Sequence, residues 1–236
     1  MLGLRVWDLS KSYRDNVAVD GVSFSASSGD FIGLLGANGA GKSTLIKLLS
    51  GVIMPCYGDA ELNGYSIVKR RRDAQAQIGY LPESPSGYEE LTVAEFLTFS
   101  ANAHGLFRQE KIRAVDKICC DLKLVPIFRQ KLGELSKGLR QRAWLAQALI
   151  HDPEILFLDE PTDGLDPIQK VELRQYISAL SDERIILMST HILEEAEAMC
   201  GRILVMKKGK LAKDGSIGFF RDDKGRLEKS IIKHAS

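Results

Sequence analysis

FIGLLGANGAGKSTLIKLLSG, residues 31–51, decides how this chain folds. Its opening FIGLLG is a short continuous apolar run, the pattern of a strand buried on both faces. KSTLIKLLSG carries the period of a helix, and Gly51 is placed to end it. Between the two lies G-x-x-x-x-G-K-[ST]. Gly36, Gly39 and Gly41 let backbone amides turn toward one point, and the helix N-terminus adds positive partial charge. Lys42 supplies a full charge and Ser43 offers a hydroxyl to Mg²⁺. The strand, loop and helix around the pattern are the context a phosphate-binding loop requires. Gly36, Asn38, Gly39, Ala40, Gly41, Lys42, Ser43 and Thr44 are therefore expected to hold a nucleotide.

Working downstream, ILFLDEP at 155–161 sets two carboxylates at the C-terminal end of a second apolar strand, the edge at which parallel sheets bind ligands. With a phosphate loop upstream, Asp159 is suited to hold Mg²⁺ through its water shell and Glu160 to orient and polarise an attacking water. The same alternation continues with a helix from about 137 to 151, a helix from about 167, strand IILMS at 185–189, a helix from about 192 and strand ILVM at 203–206. Alternating strands and helices mean parallel pairing through crossover helices. The fold class expected is α/β, a P-loop NTPase core with a mixed sheet.

Upstream of the loop, residues 4–26 alternate apolar and polar, with Asp20-Gly21 as the expected turn of an antiparallel β subdomain. From about 84 to 135 the pattern becomes helical, and Thr92 followed by Glu95 is a capping-box signature. This reads as a helical insertion subdomain within one domain spanning residues 1–236, closed by a charged tail from about 215 to 236.

Bulk composition narrows the class further. Lys and Arg total 32 against 31 Asp and Glu, so no overall charge excess favours nucleic acid, and none is expected as partner. The hydrophobic fraction of 44% and charged fraction of 27% are those of a globular protein. No apolar stretch approaches the roughly 20 residues of a membrane-spanning helix, and the N-terminus lacks the pattern of a secretory signal. Cys56, Cys119, Cys120 and Cys200 form no CxxC pair and have no histidine at metal-ligand spacing, so reduced thiols are expected.

LSKGLRQR at 135–142 precedes a helical run, where Ser136 can act as N-cap and leave amides free for an anion. Helix capping alone accounts for it. Lying between the phosphate loop and the Asp159-Glu160 strand, however, it resembles the signature motif of ATP-binding cassette (ABC) proteins, commonly written LSGGQ. That resemblance runs from about residue 4 to 211. It implies that Ser136 and Gly138 close on ATP held by another subunit and that Lys42, Glu160 and His191 carry the catalytic roles. His191, in STHILEEAE, matches the family's switch histidine, which contacts the γ-phosphate. Tyr13 matches the aromatic that stacks on adenine and reads equally well as an edge-strand aromatic. Glu83 falls where the family usually has a glutamine sensing Mg²⁺ and the membrane partner, which with Ser43 and Asp159 makes the expected metal set. Gly164, Leu165 and Asp166 match the loop that contacts the opposite subunit.

Lys137 and Leu139 replace the commoner Gly and Gln of the signature, and Glu83 replaces the commoner Gln. All three are similar to a bacterial exporter-type subgroup, and Lys137 is expected to add positive charge near the γ-phosphate. The resemblance implies an ATPase using ATP and Mg²⁺, paired with a second nucleotide-binding subunit, in a homodimer, and with an integral membrane permease. Its place would be the cytoplasm, peripheral on the inner face of the cell membrane. The alternatives are a cassette ATPase driving a non-transport mechanochemical complex and a nucleotide sensor without useful turnover. The 236 residues contain no second cassette, long coiled coil or zinc module to favour the first, and intact Glu160 and His191 oppose the second.

Overall fold

The computed structural model describes residues 2–221. The chain opens with two long strands, β1 (Leu2–Tyr13) and β2 (Asn16–Ser27), followed by β3 (Phe31–Leu35) and helix α1 (Lys42–Leu49). Next come β4 (Tyr57–Leu62), β5 (Tyr65–Ser66), the short α2 (Arg71–Gln75) and β6 (Ile78–Leu81). Helices α3 (Val93–Ala103), α4 (Arg108–Asp121) and α5 (Lys137–Leu149) lead to β7 (Ile155–Asp159). The chain then runs through α6 (Pro167–Ser178), β8 (Ile185–Thr190), α7 (Leu193–Met199) and the hairpin β9 (Arg202–Lys207) and β10 (Lys210–Ser216).

Two sheets result. The larger has the order β10-β9-β3-β8-β7-β6 and is parallel except for β10, which turns back on β9. Its inner strands read as unbroken apolar runs because both faces are covered, and the two-residue period of a strand divides them between two cores. Phe31, Leu35, Leu156, Leu158, Ile186 and Met188 face the core shared with α3, α4 and α5. Ile32, Leu34, Ile155, Phe157, Ile185 and Leu187 face the core shared with α1 and the smaller antiparallel sheet, β2-β1-β4-β5.

The sequence misplaced one turn. The first hairpin reverses at Arg14 and Asp15, not at Asp20-Gly21, which lie inside β2. There Leu9 pairs with Val22 and Lys11 with Val19, so β2 carries one extra residue as a bulge, and Ser10 Oγ accepts a hydrogen bond from Gly21 N at 2.8 Å. A bulge glycine and a turn glycine look alike in sequence. The hairpin partner β10 was also not foreseen, because KLAKDGS has no alternating apolar face. The expected charged tail begins inside β10, and its part from 222 onward lies outside the described residues.

The capping box is present on α3: Thr92 Oγ1 accepts from Glu95 N at 3.2 Å, and Glu95 Oε2 accepts from Thr92 N at 2.9 Å. Thr92→Ala removes one half of this pair and is expected to lower stability by about 1 kcal/mol. The check is a lower urea midpoint at unchanged slope; an unaltered midpoint would mean that α3 is held by packing alone.

Candidate active site

The larger sheet brings its C-terminal strand ends together. β3 delivers the phosphate loop, β7 delivers Asp159 and Glu160, and β8, which lies between them, delivers Ser189, Thr190 and then His191. In the loop, Gly41 is the N-cap of α1 at φ 105°, and a Cβ there would run into the carbonyl oxygen of Ala18. Only glycine meets both demands. Lys42 is buried, its Nζ donating to Gly36 O at 2.8 Å and to Ala37 O at 3.3 Å. Burial pulls its ammonium below the ordinary value, against the opposing pull of the Glu160, Asp159 and Glu83 carboxylates.

Asp159 Oδ1 accepts from Ser43 Oγ at 3.1 Å and from Ser189 Oγ at 2.6 Å, while the buried Oδ2 has no partner among the described residues. Glu160 follows at φ 48°, a left-handed conformation that a non-glycine residue adopts only when its surroundings enforce it. Its N–H donates to Ser189 Oγ at 2.9 Å, which holds the backbone at this position. Glu160 Oε2 lies 3.0 Å from His191 Nδ1. Burial raises the Glu160 carboxyl above its ordinary value, and the His191 hydrogen bond and the Lys42 charge only partly offset this.

Tyr13, Asn38, Gly39, Gly41, Lys42, Ser43, Thr44, Glu83 and Glu160 line one open cleft of about 700 Å³. Gly36 and Ala40 complete the loop behind it. His191 reaches the cleft through its contact with Glu160. Ser136 and Gly138 do not line it: Ser136 caps α5, accepting from Leu139 N at 3.3 Å, and Gly138 lies against the side chain of Gln169. Gly164, Leu165 and Asp166 form the loop into α6, with Asp166 Oδ1 capping that helix by accepting from Gln169 N at 2.9 Å.

The profile of the family described as ABC transporter matches residues 19–163, more than half of the chain. The chain belongs to the ABC transporter family. It is 36% identical over 214 residues to the uncharacterised ABC transporter ATP-binding protein YxlF of Bacillus subtilis, covering 91% of this chain and 71% of that one. It is 37% identical over 213 residues to the bacitracin transport ATP-binding protein BcrA of Bacillus licheniformis, covering 89% and 69%. Among solved structures, an ATP-binding subunit of an ABC transporter superposes with a TM-score of 0.85 at 33% identity, covering 92% of this chain and 91% of that one. This ABC subunit is thus an ATP-binding ATPase of a transport system, of the kind that works with membrane permease partners. No helix among the described residues is long and apolar enough to cross a membrane.

Several groups around the site of this ABC subunit escaped the sequence reading. Ser189 holds both Asp159 and Glu160, and its only signal was a hydroxyl at the end of an apolar strand. Glu195, fully buried, accepts from Thr162 Oγ1 and Arg174 Nη2, each at 2.6 Å, and from Thr190 Oγ1 at 2.9 Å. Lys208, in the β9–β10 turn, adds a cation to the wall of the cleft.

Proposed function

We propose that two copies of this chain form a homodimer that holds two shared ATP molecules and drives a separate integral membrane permease. The observation that carries this reading is the division of the expected ATP contacts. Lys42, Ser43 and Glu160 converge on one cleft, whereas Ser136 and Gly138 lie outside it, at the start of α5. A lone chain therefore offers half of the contacts, and a second copy presenting Ser136 and Gly138 supplies the rest.

ATP is the substrate, and the cleft fits it. The amides of the loop and the N-terminus of α1 suit its phosphates, Lys42 adds charge, and Tyr13 offers a ring at the rim for adenine. The donors also fit Mg²⁺. Asp159 keeps a buried oxygen with no partner among the described residues, next to Ser43 Oγ, and Glu83 lines the same cleft. Among the described residues no group of three or more His, Cys, Asp or Glu forms a metal cluster. That suits an ion that keeps its waters and takes few protein ligands. Bound there, Mg²⁺ would neutralise charge on the phosphates.

The protein's own part is mostly positioning. Glu160, set by Ser189 and paired with His191, orients a water and takes its proton, and its raised carboxyl value makes it a better base than an ordinary glutamate once ionised. His191 reaches toward the γ-phosphate, and Ser136 of the other copy closes the far side. The stretch 84–135, with Glu83 at its hinge, receives a segment of the permease, and the subunit sits on the cytoplasmic face of the cell membrane, with no nucleic acid partner. The Nod factor export ATP-binding protein I of Burkholderia pseudomallei, 38% identical over 209 residues, favours an exporter.

The experiment is ATP turnover per chain across a range of protein concentrations. Shared sites predict a total rate that rises more steeply than linearly until the dimer saturates. A turnover per chain that is constant down to the lowest concentration would overturn the shared site.

A further inference from the structure

Lys137 stands where the signature motif usually carries glycine, and its side chain has a definite destination in its own chain. Nζ lies 3.0 Å from Asp163 Oδ2. The stem crosses Gly164 so closely that a Cβ on Gly164 would overlap Nζ and lie 2.8 Å from Cε. Asp163 N in turn donates to Glu160 O at 3.1 Å, closing the turn that follows β7. The pair therefore joins the first turn of α5 to the loop that carries Glu160. One buried link runs beside it, from Gln141 Nε2 to Pro161 O at 3.1 Å.

The pair contributes little to folding, since both side chains are about half exposed, at 55% and 47%. Its consequence lies in what it connects. In a shared-site dimer, Ser136 and Gly138 serve the ATP bound by the other copy, while Glu160 serves the ATP bound by its own. A connection between them makes the position of one site's closing group depend on the state of the other site's base.

We propose that Lys137 is a positioning residue that holds the Gly164 loop against the signature turn through Asp163, so that the two ATP sites of a dimer act together; this rests on the shared-site reading above. Lys137 then acts within its own chain, on a carboxylate, and not on the γ-phosphate.

The test uses the full chain with Lys137→Gln, Asp163→Asn, the double variant and the charge exchange Lys137→Asp/Asp163→Lys. Turnover is measured against ATP at a protein concentration that saturates the dimer. Each single variant is expected to lower kcat about two- to fivefold and to bring the Hill coefficient for ATP toward one, with KM and the urea midpoint little changed. The double variant should be no worse than either single, and the exchange should restore much of the cooperativity. Unchanged kcat and Hill coefficient in both singles, or additive losses in the double, would overturn the proposal. So would a raised KM in Lys137→Gln that Asp163→Asn does not share, because that places the ammonium on the nucleotide. A wild-type rate per chain independent of protein concentration would remove the shared-site reading and this one with it, and it is told apart from the other failures because it needs no variant.

Discussion

Glu160→Gln is expected to cut ATP turnover by about 10²- to 10⁴-fold, the range that a positioned general base supplies. Glutamine keeps the shape of the side chain and the backbone hydrogen bond to Ser189, so the cleft, Lys42 and Ser43 stay in place and ATP binding survives. With binding intact and hydrolysis blocked, the variant should accumulate as a dimer in the presence of ATP. Stability moves the other way. The folded Glu160 carboxyl is raised by burial, so its favourable contribution is complete below the ordinary carboxylate value and is lost as pH rises through the folded value. At neutral pH wild type therefore bears the cost of a buried charge that glutamine lacks, and the variant's denaturation midpoint should be no lower than wild type's. Turnover within a few fold of wild type would remove Glu160 from the role of base. A lost ATP affinity together with a lower midpoint would instead show that the carboxylate holds the cleft together.

What the sequence made legible follows from how local each signal is. The phosphate loop could be read because its chemistry is contiguous: the strand, the glycines, Lys42 and the helix occupy one segment and need no partner to be recognised. Asp159 and Glu160 stood out because a phosphate loop lies upstream in the same chain; alone, two acids after an apolar strand read as an ordinary acidic turn. The Thr92 capping box was legible because both members lie within one turn of helix. Ser189 and Glu195 were not legible, because each acts through groups that only the sheet order brings near. β8 sits next to β7, and that adjacency puts Ser189 Oγ on Asp159, 30 residues away in the chain. Lys137 has a neighbour in its own chain that the sequence could not show, because only the turn after β7 brings Asp163 within 3.0 Å of it.

Glu195 gives the largest expected loss of stability. Its carboxylate is fully buried and takes hydrogen bonds from Thr162, Arg174 and Thr190, tying the loop after β7 to the end of β8 and to α6. Glu195→Ala leaves the Arg174 charge and two hydroxyls without their acceptor, and breaking a buried pair in this way costs about 3–5 kcal/mol. Arg174 exposes a quarter of its side chain and water can reach it, so the lower end of that range is expected, about 3 kcal/mol. Turnover should fall as well, because Thr190 precedes His191 and Thr162 belongs to the turn that starts at Glu160. The pH dependence separates a charge role from simple packing. Burial alone would raise the Glu195 carboxyl, but its three hydrogen bonds and the Arg174 charge outweigh that and hold it below the ordinary value. A depressed folded value means that this stability is complete above the ordinary carboxylate value and drains as pH falls through the folded one. Urea midpoints measured from neutral pH down into strong acid are the check: wild type and Glu195→Ala should differ widely at neutral pH, and the gap should close only as pH falls below the folded Glu195 value. A gap that stays constant with pH would show that the residue matters for its volume, and that the buried hydrogen bonds around it carry no charge-dependent stability.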